Sequence, residues 1–379
     1  MKIIPYSCQS ISEEDIQVVV AVLRSACLTQ GPFINQFESE FAKKVGAKYA
    51  VAVNSGTAAL HICYMALGLT TGDELITTPN TFVATSNAAL YCGAIPVFAD
   101  IFLDTGLIDP AEVIKHITPR TRAISPVDFA GCPADLAAIK AIADRYKLKV
   151  IQDASHSLGA RYRDSTVGDC AYSDMTVFSF HPVKPITTGE GGMVTTNDET
   201  LYKALLKLRT HGITKENLIN SPGPWYYEMT DLGYNYRMTD LQAAMGSSQL
   251  KKLDSFIAAR RRIASQYNDA FCKLEFVRPL GESPDCESGY HLYVLSLNFL
   301  KLKKSRAEVM VYLRERGVGS QVHYIPVYHH PYYMEKFKDQ PKLAGMEGYY
   351  ATALSIPIFP TMTDVDVVTV IDAVASLGG

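Results

Sequence analysis

From Tyr49 onward the chain alternates two kinds of hydrophobic pattern. Tyr49–Val53, Leu75–Thr78, Ile95–Phe98, Arg122–Val127 and Leu148–Ile151 are short apolar runs of the strand type. Between them apolar residues recur at helical spacing, after Asn54–Leu60 and over Thr81–Tyr91, Asp109–Ile117 and Asp135–Tyr146. Such alternation predicts parallel βαβ units, a sheet covered by helices on both faces. Two further strands, Met175–Phe180 and Met193–Thr196, flank a segment with two prolines and a glycine pair. Ahead of this region lies an irregular arm, residues 1–11. Ser12 then caps a helix with acids in its first turn and a stripe of Ile16, Val19, Val20 and Leu23. Leu28–Pro32 breaks it, and an amphipathic helix follows from Ile34 to Val45.

The pattern changes after Met238. One long helix is expected from Thr239 into Phe271, then a strand at Tyr293–Leu297 and a helix over Ser305–Arg316 stopped by Gly317. Val318–Tyr324 reads as another strand and Thr363–Leu377 as a closing helix. The expected organisation is an N-terminal arm and helix (1–29), a large α/β domain (30–245) and a smaller α+β domain (246–379). The length of 379 residues accommodates two to three domains.

Composition narrows the function classes. A formal net charge of −3 gives no support for nucleic-acid or anionic-membrane binding, which need a basic face. Arg260–Arg262 is the longest basic run and falls inside a helical pattern. The eight cysteines form no C-x-x-C pair and read as reduced thiols, so no metal site is expected. Neither a signal peptide nor a membrane span is expected, and the expected location is the cytoplasm.

The candidate chemistry gathers at strand ends, where open parallel sheets bind ligands. Lys184 follows Met175–Phe180 in a segment stiffened by Pro182 and Pro185, and a lysine in an apolar pocket has a lowered pKa and suits a Schiff base. Asp153 ends an otherwise apolar strand about thirty residues earlier. A buried carboxylate needs a cation or several donors, and a pyridinium N–H is such a partner. The pair suits pyridoxal 5′-phosphate, with the lysine on the aldehyde and the acid on the ring nitrogen. Asn54–Leu60 joins a strand to a helix with Gly56 for close approach and the Thr57 hydroxyl for a phosphate, or it is an ordinary capping box. Phe82 stacks on a planar ring or fills core. His156 bonds Asp153 or the cofactor, or packs. Ser179 completes the phosphate site. No G-x-G-x-x-G and no G-x-x-x-x-G-K-[ST] is present.

As a set, Asn54–Leu60, Thr77–Thr85, Asp153–His156, Ser179–Thr187, Gly189–Gly192, Gly233–Met238 and Gln321–Pro326 resemble the DegT/DnrJ/StrS nucleotide-sugar aminotransferases over nearly the whole chain. The resemblance implies fold type I of the pyridoxal-phosphate enzymes: a large domain with a mostly parallel seven-stranded sheet and a smaller C-terminal α+β domain. It implies that Lys184 is the Schiff-base lysine and Asp153 the pyridine partner. Thr57, Ala58 and Ser179 become phosphate ligands, Phe82 the stacking residue and His156 a neighbour of the cofactor. Asn235 resembles an asparagine that reaches the phosphate from the other subunit, so a homodimer with shared sites is implied. Related sugar dehydratases carry histidine where this chain has Lys184.

Within the family the likeness runs to the pseudaminic acid branch, through Pro5–Ser7, Leu28–Gly31, Phe180–Thr188, Gln321–Tyr324 and Pro326–Tyr328. That branch aminates a UDP-linked 4-keto-6-deoxy-N-acetylhexosamine with L-glutamate as donor, by ping-pong exchange at one pocket. Arg237 is then a candidate carboxylate or diphosphate clamp. Tyr6, His323, Tyr324, Tyr328 and His329 are candidates to line the sugar side. The segment Ser221–Tyr227 departs from the shorter loop of that branch. Alternatives are a transaminase for another 3- or 4-keto nucleotide sugar, and a non-catalytic cofactor-binding regulator.

Overall fold

The computed structural model describes residues 3–216, 218–219, 221–338 and 342–379. Met1 and Lys2, the start of the expected arm, lie outside the described residues. Helix α1 (Glu13–Leu23) begins in a capping box between Ser12 and Asp15, and α2 (Pro32–Val45) ends where Gly46 turns left-handed at φ 84°. The alternation then runs β1 (Tyr49–Val53), α3 (Gly56–Ala66), β2 (Glu74–Thr77), α4 (Ala84–Tyr91), β3 (Ile95–Phe98), α5 (Pro110–Lys115), β4 (Thr121–Ser125), α6 (Leu136–Tyr146), β5 (Lys149–Asp153), β6 (Met175–Ser179) and β7 (Gly192–Thr196). Side chains of Ser55, Asp109 and Asp135 cap α3, α5 and α6.

These strands form one seven-stranded sheet in the order β1-β7-β6-β5-β4-β2-β3. It is parallel except for β7, which pairs antiparallel with both neighbours, Val51 opposite Val194 and Val177 opposite Val194. The period-two alternation of strands sorts the core onto two faces. Val51, Val53, Ile151, Val177 and Val194 pack under α3 with Ala59, Ile62 and Cys63. Ala50, Ala52, Phe178 and Met193 face the other way, onto Phe37 and Phe41 of α2.

The long C-terminal helix is two helices, α7 (Asp240–Leu250) and α8 (Leu253–Phe271). The interruption at Lys251–Lys252 coincides with an ion pair from Lys252 to Asp15 of α1, and Ser248 and Gln249 donate to the same carboxylate at 2.6 and 2.7 Å. A second core forms around α8, with Tyr267, Phe271, Leu295, Val309, Leu354 and Val370. Its sheet is three-stranded and antiparallel: Val277–Pro279, Tyr293–Leu297 and Ala353–Ile356.

Three other expectations are corrected. Val318–Tyr324 is not a strand; its backbone makes single bridges, Val318 to Ile4 and Gln321 to Ser355, so no ladder forms. Ile16 and Leu23 are exposed, and α1 instead buries Val22 and Asp15. The helix expected from Thr81 starts at Ala84, leaving Phe82 on the turn before it. The helix Glu199–Leu208 and the strand Ala353–Ile356 were not anticipated.

The N-terminal arm bridges the two cores. Ile4 exchanges backbone hydrogen bonds with Gly317 and Gly319 at 2.8 Å, and the Tyr6 carbonyl accepts from Ile358 N at 3.1 Å. Ser7 Oγ donates to the carbonyl of Val183 at 3.2 Å, one residue before Lys184.

Candidate active site

The carboxyl ends of β5, β6 and β1 carry the residues singled out in the sequence. Asp153 is the last residue of β5 and is buried. One of its oxygens accepts from Thr85 Oγ1 at 2.7 Å, the other from Ser155 N at 3.1 Å and Ser155 Oγ at 2.6 Å. Three donors on a carboxylate with about four acceptor positions leave room for one more N–H. Behind it Asp128, fully buried, accepts from Gln152 Nε2 at 2.7 Å, from Ala134 N at 3.2 Å and from the Ser157 hydroxyl. Burial pushes its carboxyl up to about 7, partly offset by those hydrogen bonds.

Lys184 sits on the loop between β6 and β7, its N–H closing a turn onto the His181 carbonyl at 2.9 Å. Desolvation pulls its ammonium down to about 8, against the opposing attraction of Asp153. An amine with that pKa is still mostly ammonium at pH 7 but releases its proton far more readily than an ordinary lysine, giving the free base that attacks a carbonyl.

At the end of β1, Ser55 Oγ accepts from Ala58 N at 3.1 Å at the start of α3. The N–H groups of Gly56 and Thr57 have no intrahelical acceptor, as in any first helical turn. Ser179 closes the cradle: a Cβ placed on Gly56 would lie 3.0 Å from Ser179 Cβ. One on Gly192 would lie 2.5 Å from the Ser55 carbonyl oxygen. Glycine at both positions lets strand, helix terminus and serine come this close.

His156 is buried, and its Nε2 lies 3.0 Å from Tyr324 Oη, not on Asp153. Its Nδ1 is buried without a partner among the described residues. Desolvation, then the Lys184 charge, hold the imidazole well below its usual pKa, so it is neutral. Tyr324, its phenol raised by burial, faces Phe82 with ring centroids 6.5 Å apart. His323 Nδ1 pairs with Ser355 Oγ at 2.8 Å, and burial with the Lys184 charge lowers it to about 3. Tyr6 lies against His323 at 5.4 Å. Thus Lys184, Asp153, His156, His323, Tyr324, Phe82 and Tyr6 form one continuous group.

Tyr328 is buried in the cluster against which Tyr6 and Tyr324 pack, and it and His329 both turn to Glu347 Oε1, at 3.0 and 2.8 Å. Arg237 lines a cleft of about 200 Å³ with Gln30, Gly31, Asn35 and Arg209. Asn235 is exposed, and its carbonyl accepts weakly from Asn54 Nδ2 at 3.4 Å. Thr85 and Ser155, the donors that hold Asp153, went unnoticed in the sequence; an acid followed two residues later by serine is an Asx-turn signal that could have found Ser155.

The sequence matches a model of the DegT/DnrJ/EryC1/StrS aminotransferase family over residues 9–375. The chain belongs to that family. It is therefore an aminotransferase of fold type I, and pyridoxal 5′-phosphate is the cofactor of such enzymes. The chain is 43% identical over 378 residues to the spore coat polysaccharide biosynthesis protein SpsC of Bacillus subtilis, covering 99% of this chain and 97% of the relative. It is 39% identical over 378 residues to the UDP-4-amino-4,6-dideoxy-N-acetyl-β-L-altrosamine transaminase of Campylobacter jejuni, with the same coverage of each chain. Among solved structures it is similar to Helicobacter pylori PseC, an aminotransferase of pseudoaminic acid biosynthesis, with TM-score 0.93, 34% identity and 99% of each chain covered. The residues of this family member suit the cofactor. Asp153 keeps an acceptor position free, Lys184 is desolvated, and the Gly56–Ser179 approach forms a cradle for an anion. Among the described residues no His, Cys, Asp and Glu cluster could hold a metal, and no helix is long and apolar enough to cross a membrane.

Proposed function

We propose that the enzyme moves an amino group from L-glutamate to the 4-keto carbon of a UDP-linked 4-keto-6-deoxy-N-acetylhexosamine, in the cytoplasm. The observation that carries the chemistry is the lowered Lys184 amine beside a carboxylate already held by Thr85 and Ser155. The Campylobacter and Helicobacter relatives named above support the choice of sugar. Bound at this edge, the cofactor supplies an aldehyde for the migrating amino group and a ring that takes up electrons.

The residues of the chain do the rest. Asp153 would accept the N–H of the cofactor ring at the acceptor position that Thr85 and Ser155 leave free. Thr57, with its free N–H and its hydroxyl, and the Ser179 hydroxyl would hold the phosphate next to Ala58, whose own N–H is taken by Ser55 Oγ, and Phe82 would cover one ring face. With the cofactor bound, Lys184 would hold its aldehyde at rest and would serve as the base and acid that moves a proton from the donor α-carbon to the cofactor carbon in the first half-reaction and from that carbon to the sugar C4 in the second. Tyr324, whose hydroxyl is held by neutral His156, forms the sugar side with Tyr6 and His323, while Tyr328 and His329 shape the wall behind through Glu347. Arg237 clamps a carboxylate or diphosphate. Because donor and sugar use one pocket in turn, the kinetics are ping-pong. Asn235, exposed in the single chain, completes the partner's phosphate site in a homodimer.

The test is the visible absorbance of the cofactor-loaded protein. L-glutamate should bleach the band, and the UDP-4-keto sugar should restore it. Bleaching without restoration would leave the aminotransferase standing and refute the sugar. A second reading, another keto nucleotide sugar destined for a surface polysaccharide, is favoured by the 43% identity to SpsC. It predicts restoration only by a different nucleotide-linked sugar.

A further inference from the structure

The buried residue His291 has no part in the chemistry described so far. It precedes the strand Tyr293–Leu297 and is 2% exposed. Its ring packs on that of His156 with centroids 4.4 Å apart and planes at 53°. The Nδ1 atoms of both rings are buried with no hydrogen-bond partner among the described residues.

The scaffold around His291 holds its backbone from two sides. Arg260, fully buried, donates from one guanidinium nitrogen to the carbonyls of Tyr290, His291 and Ile358 at 3.1, 3.2 and 2.9 Å. From the other side, Gly289 N donates to the Gly131 carbonyl at 2.9 Å and Leu292 N to the Ala130 carbonyl at 3.2 Å. A Cβ on Gly131 would lie 2.4 Å from Tyr290 N and 2.8 Å from His291 N. This contact, which only glycine permits, and a buried cation both serve the main chain at this one histidine.

The contact to His156 leads to the pocket. His156 Nε2 is 3.0 Å from Tyr324 Oη, and Tyr324 faces Phe82. The charged groups acting on the two imidazoles are Lys184 on both and Arg260 on His291, with His323 nearby. All favour neutral rings. With Tyr324 donating, a neutral His156 must accept at Nε2 and carry its proton on Nδ1.

Resting on the transaminase reading above, we propose that His291 is a positioning residue: packed ring on ring, it fixes the rotation of His156 and so holds the Tyr324 hydroxyl in place at the sugar side of the pocket. His291 does not touch the reacting atoms and acts only through His156.

The test uses the cofactor-loaded enzyme, its pH titration by absorbance, and kcat and KM for the keto sugar. His291→Phe keeps a ring against His156, whereas His291→Asn and His291→Gln remove it. Expected are a kcat loss of about tenfold or more in the Asn and Gln variants with KM changed less than about threefold, and a shifted absorbance titration, since misplacing a group by an ångström is costly. Phe should keep most of the activity. In a Tyr324→Phe background, His291→Asn should cost less than about threefold, because the two act in series. Equal cost in both backgrounds, or a Phe variant as impaired as Asn, would overturn the proposal. So would a titration of the Asn variant unchanged from wild type. If the Asn variant does not fold, Gln serves in its place. A wild-type protein without any cofactor band would overturn the underlying reading as well, which separates the two failures.

Discussion

Replacing Lys184 by methionine should stabilise the protein lacking cofactor. Burial lowers the Lys184 pKa from 10.5 to about 8, net of the favourable attraction of Asp153. Each unit is worth about 1.4 kcal/mol, so holding the ammonium in place costs roughly 3 kcal/mol at neutral pH. Methionine fills a similar volume without the charge, and Asp153 retains its bonds to Thr85 and Ser155. The pH dependence fixes the cause. Between pH 8 and 10.5 the unfolded chain binds the lysine proton and the folded chain has released it, so wild-type stability rises with pH across that window. Below pH 8 the full cost is present; above 10.5 it is gone. The advantage of Lys184→Met should therefore be about 3 kcal/mol at pH 7 and about 1.4 kcal/mol at pH 9.5, on the same linkage relation. Urea unfolding of both cofactor-free proteins at the two pH values measures it. A variant less stable than wild type at pH 7, or an advantage that does not shrink by pH 9.5, would refute a desolvated lysine.

In the cofactor-free wild type, the rate at which the Lys184 amine captures the cofactor aldehyde should climb through pH 8 and level off above it, followed by stopped-flow absorbance. Thr85→Val removes the 2.7 Å donor to Asp153 and should lower kcat about tenfold while leaving the far-ultraviolet circular dichroism unchanged. Gly192→Ala drives a methyl to 2.5 Å from the Ser55 carbonyl; it should lower stability by about 1–3 kcal/mol in urea unfolding and weaken cofactor affinity in an equilibrium titration. Tyr324→Phe strands His156 Nε2 and should cost about 1–3 kcal/mol in the same unfolding assay.

The sheet and the Lys184–Asp153 edge could be read from the chain because both are local signals. Strand-end acids and a proline-flanked lysine stand out against apolar runs, and caps such as Ser12, Ser55 and Asp135 mark helix starts where the structure has them. What escaped the sequence depends on partners far along the chain. Lys251–Lys252 has ordinary helical composition, yet the helix breaks where Lys252 meets Asp15. Val318–Tyr324 alternates like a strand, but its two bridges go to Ile4 and Ser355, on different segments. His156 was expected to reach Asp153 or the cofactor, and the Tyr324 hydroxyl 168 positions away is what it meets. His291 carries no local motif at all; its meaning comes from a ring across the molecule.

The N-terminal arm has a consequence for synthesis. Its partners, Val183, Gln249, Gly317 and Ile358, are all translated long after it. Residues made before their partners are thus among the last to find their places, and a chain stopped before the second core has no complete surface to receive them. Docking of the arm then reports that both cores have formed, and the hydroxyl it sends to the loop of Lys184 ties readiness for chemistry to assembly of the second core.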